Sequence, residues 1–151
     1  MNFDFNKVDY KAIEDKLVEF IRIKAGDKKV VMGLSGGVDS SVSCYLATKA
    51  LGKDNVKVVI IKNTQFSKEG IDTARAYAKK LGVAVQEVDS EGIRDKLLKN
   101  MGIINPGLLF DATADVRLCD MIIRTIAQFD ERLYMGTING TERLVGWYPK
   151  G

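Results

Sequence analysis

The chain has 151 residues, 46% of them hydrophobic and 28% charged, which is typical of a globular protein with one domain and a buried core. Its 23 basic and 20 acidic residues leave a net charge of +3, too small an excess to predict nucleic-acid binding. Because the chain contains no histidine, His-based acid–base catalysis, Ser-His-Asp triads and His-ligated zinc are excluded. A metal ion would need oxygen ligands, which favours Mg²⁺.

The sequence has neither a run of about 18 apolar residues, as a membrane-spanning helix needs, nor a signal-peptide pattern. We therefore expect a cytoplasmic protein that does not interact with a membrane. Cys44 and Cys119 are far apart and lack the spacing of a metal site, so we expect free, buried thiols.

Tyr10 to Ala25 has the apolar periodicity of an amphipathic helix, which Gly26 and Asp27 end. Plain packing on the rest of the domain is the simpler interpretation of this helix, and a role at an interface is the alternative. The apolar residues that recur at this helical spacing are Ile13, Leu17, Phe20 and Ile21.

A strand, a turn and a helix follow, and they carry the main functional signal. Val30 to Leu34 is a short apolar run rich in β-branched residues, which predicts a buried strand. Ser35 to Ser40 forms the turn, and Ser40 to Leu51 is predicted as a helix that ends at Gly52.

The turn has the composition of an anion-binding loop. Gly36 and Gly37 let a ligand approach the backbone, and we expect a positive φ angle at Gly37. Free N–H groups and the dipole of the following helix favour phosphate. The loop has no lysine and so differs from GxxxxGK[ST]; Asp39 instead indicates a cation, usually Mg²⁺, between its carboxylate and the phosphates. A plain glycine-rich turn with Asp39 as N-cap is the alternative. Further donors are the hydroxyl groups of Ser35, Ser40 and Ser41.

Strands and helices alternate through the remaining chain, which predicts an α/β fold with a doubly wound parallel sheet and helices on both faces. Ligands bind such sheets at the carboxyl ends of the strands. We see no domain boundary and expect a single domain over residues 1–151. The other predicted strands are Val56 to Ile61, Val83 to Val88 and Arg132 to Met135. The other predicted helices are Lys68 to Leu81 with Ser67 as N-cap, Glu91 to Met101 with Ile93, Leu97 and Met101 inward, and Ala112 to Phe129.

A second polar group follows the last predicted strand. Gly136 and Thr137 offer a backbone N–H and a hydroxyl to a phosphate, and Glu142 offers a carboxylate. If this strand lies beside the first, the carboxylates of Asp39 and Glu142 reach one cavity. A polar loop with a surface glutamate is the alternative interpretation.

The motif SGGVDSS resembles the pyrophosphate loop of the N-type ATP pyrophosphatases, which cleave ATP between its α and β phosphates. The longer stretch LSGGVDSSVSCYLATKALGKDNV is most similar to the ammonia-dependent NAD synthetases, as are the Gly-Thr-x-x-x-x-Glu spacing at 136–142 and the segment GWYPK. The resemblance covers nearly the whole chain. Full-length members continue beyond the last segment and hold a further strand there, so the resemblance implies that the fourth strand becomes a sheet edge.

The resemblance implies a Rossmann-like, adenine nucleotide alpha hydrolase-like fold and an ATP-dependent carbon–nitrogen ligase. Deamido-NAD would be adenylated with ATP and Mg²⁺, and ammonia would then give NAD and AMP. A homodimer is implied as well. The implied catalytic residues are Asp39, Arg117 and Lys150, and the metal ligands are Asp39 and Glu142. The implied nucleotide-binding residues are Gly33, Leu34, Ser35, Gly36, Gly37, Val38, Asp39, Ser40, Ser41, Ile61, Lys62 and Thr137. Two alternatives remain open: a pyrophosphatase with another adenylated substrate, and a non-catalytic nucleotide-binding module.

Overall fold

The computed structural model describes residues 8–63, 66–103 and 108–145, with side chains omitted for residues 108–112 and 145. Helices and parallel strands alternate along this part of the chain, as predicted. In chain order the elements are α1 (Tyr10–Ala25), β1 (Val30–Gly33), α2 (Val38–Leu51), β2 (Val56–Lys62), α3 (Lys68–Leu81), β3 (Ala84–Asp89), α4 (Ile93–Asn100), α5 (Leu108–Phe129), β4 (Leu133–Tyr134) and α6 (Gly140–Val145).

The four strands form one parallel sheet in the order β3-β2-β1-β4, which confirms the predicted α/β fold. Val30 of β1 is in register with Val56 of β2 on one side and with Leu133 of β4 on the other. The chain therefore moves outward from β1 to β3 and then returns to the opposite side of β1. Such a reversal of strand order opens a crevice at the carboxyl ends of the two strands between which it occurs. In this sheet the crevice lies between β1 and β4.

One face of the sheet is covered by α2 and α3. Met32, Val58 and Ile60 point to this face and are almost fully buried. Ala47 of α2, with Ala74 and Ala78 of α3, lies against them. These small side chains let the helices approach the sheet closely, so the main core forms here.

The opposite face is covered by α5. Val31 and Val59 pack there against Ile123 and Ala127 of that helix. An ion pair of 2.5 Å joins Lys57 of β2 to Asp130, the residue that follows α5. Helix α5 begins at Leu108, four residues before the predicted start at Ala112.

The predicted apolar stripe of α1 is covered only in part, where Ile21 packs beside Val18. Ile13, Leu17 and Phe20 are exposed, with 57% of Phe20 accessible, whereas Val18 and Ala25 are buried. The reason is that α1 packs on the outer side of α2, where Val18 meets Leu46 and Ala50, and not on the sheet. Only one edge of its apolar arc is covered.

The predicted inward face of α4 is wrong. Ile93, Leu97 and Met101 are all exposed, and no residue of α4 is buried. This short helix follows the edge strand β3 and packs mainly beside α5.

Two smaller points complete the fold. Within the described residues, no helix combines the length and the apolar character needed to cross a bilayer. Both cysteines are free thiols, Cys44 fully buried and Cys119 partly buried, and burial raises the pKa of Cys119 to about 11.

Candidate nucleotide site

The predicted anion-binding loop lies at the carboxyl end of β1, between β1 and α2. Gly33 is the last residue of β1, and a Cβ there would lie only 2.9 Å from Ile123 Cδ1 of α5. Leu34 is buried, and its N–H donates to the Val59 carbonyl of β2 over 3.0 Å. The loop therefore starts from a fixed position in the centre of the sheet edge.

Gly36, and not Gly37, supplies the positive φ angle of the loop. The φ angle of Gly36 is +83°, and a Cβ on it would lie 2.2 Å from the Gly70 carbonyl oxygen of α3. Gly37 has φ −76° and ψ 162°, an extended conformation that any residue adopts, so the expected positive φ at Gly37 was wrong. The loop thus needs glycine where it passes the start of α3.

The serine hydroxyl groups hold the loop in shape. Ser35 Oγ lies 3.1 Å from Ser40 Oγ and accepts the Gly37 N–H over 3.3 Å. The hydroxyls of Ser40 and Ser41 both donate to the Gly37 carbonyl, over 3.1 and 2.8 Å. Ser40 is buried, so its own bonds to Ser35 and Gly37 are partly shielded from water.

Helix α2 begins at Val38, two residues before the predicted start, and within the described residues no side chain caps it. The first N–H that bonds inside the helix is that of Ser41, which donates to the Gly37 carbonyl over 3.1 Å. By helix geometry, the N–H groups of Val38, Asp39 and Ser40 have no partner within the helix. They point out of the helix start, where the helix dipole is positive, and this arrangement favours a phosphate.

Helices α1 and α3 are capped by side chains in the ordinary way. The Asp9 carboxylate accepts the Ala12 N–H at the start of α1 over 2.9 Å. The Ser67 hydroxyl accepts the Gly70 N–H at the start of α3 over 3.1 Å, as predicted. The start of α4, at Gly92, also lacks a side-chain cap, so the distinguishing feature of the uncapped α2 start is its place at the carboxyl end of β1.

The second polar group lies beside the loop, because β4 is the neighbour of β1. The Asn139 Nδ2 donates to Asp39 Oδ2 over 3.4 Å. The Asn139 backbone N–H donates to Glu142 Oε2 over 2.9 Å, and the Glu142 N–H donates to Asn139 Oδ1 over 2.8 Å. The last two bonds form a capping box at the start of α6. Both carboxylates of the predicted metal pair thus contact the same residue.

This donor set fits Mg²⁺. Mg²⁺ prefers oxygen ligands and is typically held by one or two carboxylates together with the substrate phosphates. Asp39 is exposed and Glu142 half-buried, so their carboxylates remain partly open to solvent. The described residues contain no group of three or more acidic or cysteine side chains that could bind a metal alone. The predicted metal pair would therefore need the phosphates to complete its ligands.

Lys62, one of the implied nucleotide-binding residues, lies in a network of charged residues at β2 and β3. Its ammonium group is 3.3 Å from Glu87. Arg75 of α3 donates to both oxygens of Glu87 over 2.6 and 2.9 Å, and also to Asp72. The Arg75 hydrogen bonds, with a smaller contribution from Lys62, lower the pKa of Glu87 to about 2. Lys62 and Arg75 therefore already have carboxylate partners within the protein.

The remaining predicted site residues are spread around the same edge. Ile61 is half-buried on the α5 face of the sheet. Thr137 is half-buried between β4 and α6, and Arg117 is exposed on α5. Lys150 lies outside the described residues. The roles of these residues remain predictions.

Two residues of the site were missed by sequence reasoning. Gly70 lies in the first turn of α3, and a Cβ added at this position would be 3.2 Å from the Ser35 carbonyl oxygen. A glycine inside a predicted helix often marks such a close backbone approach. Asn139 was missed although Asn-x-x-Glu has the spacing of a capping box, with Asn as the N-cap residue.

Comparison with known proteins agrees with this geometry. The family model described as NAD synthase matches residues 10–150. An NH(3)-dependent NAD(+) synthetase from Chlorobium phaeobacteroides is 37% identical over 97% of this chain and 53% of its own length. An NH3-dependent NAD synthetase structure from Campylobacter jejuni has TM-score 0.84 and 26% identity over 93% of this chain and 61% of that one. The fold is also that of a glutamine-dependent NAD+ synthetase from Acinetobacter baumannii bound to ADP, with TM-score 0.88 and 21% identity over 99% of this chain and 30% of that one.

The chain spans about half the length of the curated relatives it matches. The family match nevertheless includes the loop, the sheet and the α6 segment that form the site. This chain belongs to the NAD synthase family.

Proposed function

We propose that this chain is the ATP-binding part of an NAD synthetase that adenylates the carboxylate of deamido-NAD. The observation that carries the proposal is the uncapped start of α2 at the carboxyl end of β1, next to Asp39. Family membership supports the choice of reaction. One protein of the same fold has been solved in complex with ADP.

In the proposed reaction, a nicotinate carboxylate oxygen attacks the α-phosphorus of ATP. The bond from that phosphorus to the bridging oxygen breaks, and pyrophosphate leaves. Ammonia then attacks the acyl carbon, AMP leaves, and the amide of NAD is formed with loss of a proton. We propose ammonia as the nitrogen source because it is the one named for the Chlorobium relative.

The chain's own contribution is to bind and orient the phosphates. The N–H groups at positions 36 and 38–40 would hold the pyrophosphate oxygens, and their geometry is fixed in advance by the Ser35–Ser40 network. Asp39 and Glu142 would hold Mg²⁺, which neutralises phosphate charge when bound. Thr137 and Arg117 would contact phosphate, and Gly33, Leu34, Ile61 and Lys62 would line the adenosine.

The test is incubation of the chain with Mg-ATP, an ammonium salt and deamido-NAD, with AMP and NAD followed by chromatography. We expect both products in equal amounts, and neither product with Asp39→Ala. AMP without NAD would indicate another adenylated substrate. Nucleotide binding with no AMP under any of these mixtures would indicate a binding module and contradict the proposed reaction.

We also propose that the protein is a homodimer. Its support is the exposed apolar side of α1, where Tyr10 is 61% accessible and Phe20 57%, together with Phe129 at the end of α5. A two-fold interface would use the same surface of both chains. Sedimentation across a concentration series is expected to show a dimer that Phe20→Glu weakens, and a strict monomer at all concentrations would contradict this proposal.

A further inference from the structure

Asn139 contacts both of the carboxylates that the proposed function assigns to a metal ion. Two of its hydrogen bonds are local and involve Glu142, three residues along the chain, at 2.9 and 2.8 Å. The third bond is longer, 3.4 Å, and reaches Asp39, which is 100 residues away in the sequence. Asn139 therefore connects the start of α6 with the phosphate loop.

The two carboxylates need such a connection. Asp39 and Glu142 both carry negative charge, and like charges that are held together repel. The Asn139 amide places N–H donors toward both carboxylates, from its side chain toward Asp39 and from its backbone toward Glu142.

We propose that Asn139 is a positioning residue that holds Asp39 and Glu142 in the arrangement one divalent cation requires. This inference rests on the proposed function, because it assumes that the two carboxylates share Mg²⁺ with the phosphates of a nucleotide. Groups that orient metal ligands act in this way in other metal sites, and their loss weakens metal binding.

Three variants separate this role from helix capping. Asn139→Ser keeps an N-cap acceptor for α6, since Ser and Asn cap helices about equally well, but its short side chain cannot reach Asp39. Asn139→Ala removes the cap and the connection together. Asp9→Ala removes the N-cap of α1, which lies on the outer layer of the fold, and serves as the matched control for the loss of a cap.

The measurement is the dissociation constant of α,β-methylene-ATP by calorimetry, once with Mg²⁺ and once with EDTA. The ratio of the two constants is the metal-dependent gain in affinity. We expect this gain to fall about tenfold in Asn139→Ser and Asn139→Ala, as for other groups that orient metal ligands. The constant measured in EDTA should change much less, and Asp9→Ala should keep the wild-type gain.

Other results of this experiment would contradict either the positioning role or the proposed function. A wild-type gain in Asn139→Ser would overturn the positioning role, and so would an equal loss of affinity with and without Mg²⁺, which a purely structural role predicts. If the unmodified chain binds the analogue without any gain from Mg²⁺, nucleotide binding stands and the positioning role fails. If the unmodified chain does not bind the analogue at all, the proposed function fails, and this inference with it.

Discussion

The starts of α2 and α3 lie side by side at one edge of the sheet, and the chain treats them in opposite ways. At α3, the Ser67 hydroxyl accepts an N–H of the first turn. At α2, Gly37 occupies the N-cap position and has no side chain to do so, while the Ser40 and Ser41 hydroxyls donate to its carbonyl. The difference is that the N–H groups in the first turn of α2 have no side-chain partner, which leaves them available for an anion.

The largest effect is expected from Gly36→Ala, which would break the contact between the two helix starts. The new Cβ would overlap the Gly70 carbonyl oxygen, and alanine would have to adopt the left-handed φ angle, which costs about 1–2 kcal/mol. The affinity for Mg-ATP, measured by calorimetry, should fall by at least about tenfold.

Gly37→Ala is the matched control for this prediction. Its Cβ would meet only Ser35 Oγ, at an ordinary contact distance of 3.4 Å. The loss of affinity should therefore be much smaller than for Gly36→Ala. Equal losses in the two variants would contradict the account of the loop.

Gly37→Asp should make the start of α2 resemble that of α3. The φ and ψ angles of Gly37 suit an N-cap residue, and a carboxylate there can accept the N–H groups of Asp39 or Ser40. We expect the unfolding free energy to rise by a few tenths of a kcal/mol, while the Mg-ATP affinity falls about tenfold or more because the donors are occupied and the phosphates repelled. Retained affinity would show that these donors do not bind phosphate.

Ser67→Ala should remove the cap of α3 and leave nucleotide binding nearly unchanged. Loss of the cap is expected to lower the free energy of unfolding by about 1 kcal/mol, measured by urea denaturation. Mg-ATP affinity should stay within about twofold of the wild-type value, a change of under half a kcal/mol. A large loss of affinity would mean that the two helix starts act as one site.

The smallest effect concerns the compensated charges at β3. The pKa of Glu87 is lowered to about 2, mainly by the Arg75 hydrogen bonds, from an ordinary value of 4.5. This pair therefore stabilises the fold fully above about pH 4.5, and the stabilisation is lost as the pH falls toward 2. The pair is partly exposed, which keeps the effect small.

Arg75→Ala should accordingly lower the unfolding free energy at pH 7 more than at pH 3. Arg22→Ala, which breaks an exposed pair with Glu19, is the control and should change both values little. An equal loss at both pH values for Arg75→Ala would contradict the assignment.

Local signals in the sequence predicted much of the fold. The bounds of α1 and α3, the Ser67 cap and the order of strands and helices follow from apolar periodicity and capping residues, which depend on nearby positions only. The exposed faces of α1 and α4 could not be predicted in this way. An apolar stripe shows that a helix can be covered, whereas which side is covered depends on the neighbouring layers.

The candidate site was predicted in its composition but not in its detail. The motif located the loop and the carboxylates at Asp39 and Glu142, yet it did not show which glycine has the positive φ angle. That choice depends on how closely Gly36 passes Gly70 of another helix. The connection from Asn139 to Asp39 depends on β4 returning beside β1, a pairing that no local pattern encodes.

The most direct test of the central claim is an amide ¹H–¹⁵N NMR titration of the chain with Mg-ATP. The account predicts the largest shift changes at the N–H groups of residues 36 and 38–40 and only small changes at residues 67–70, where the Ser67 side chain already caps the helix. Shifts confined to other parts of the sheet edge, or equal shifts at the two helix starts, would contradict the claim that the uncapped start of α2 binds the phosphates.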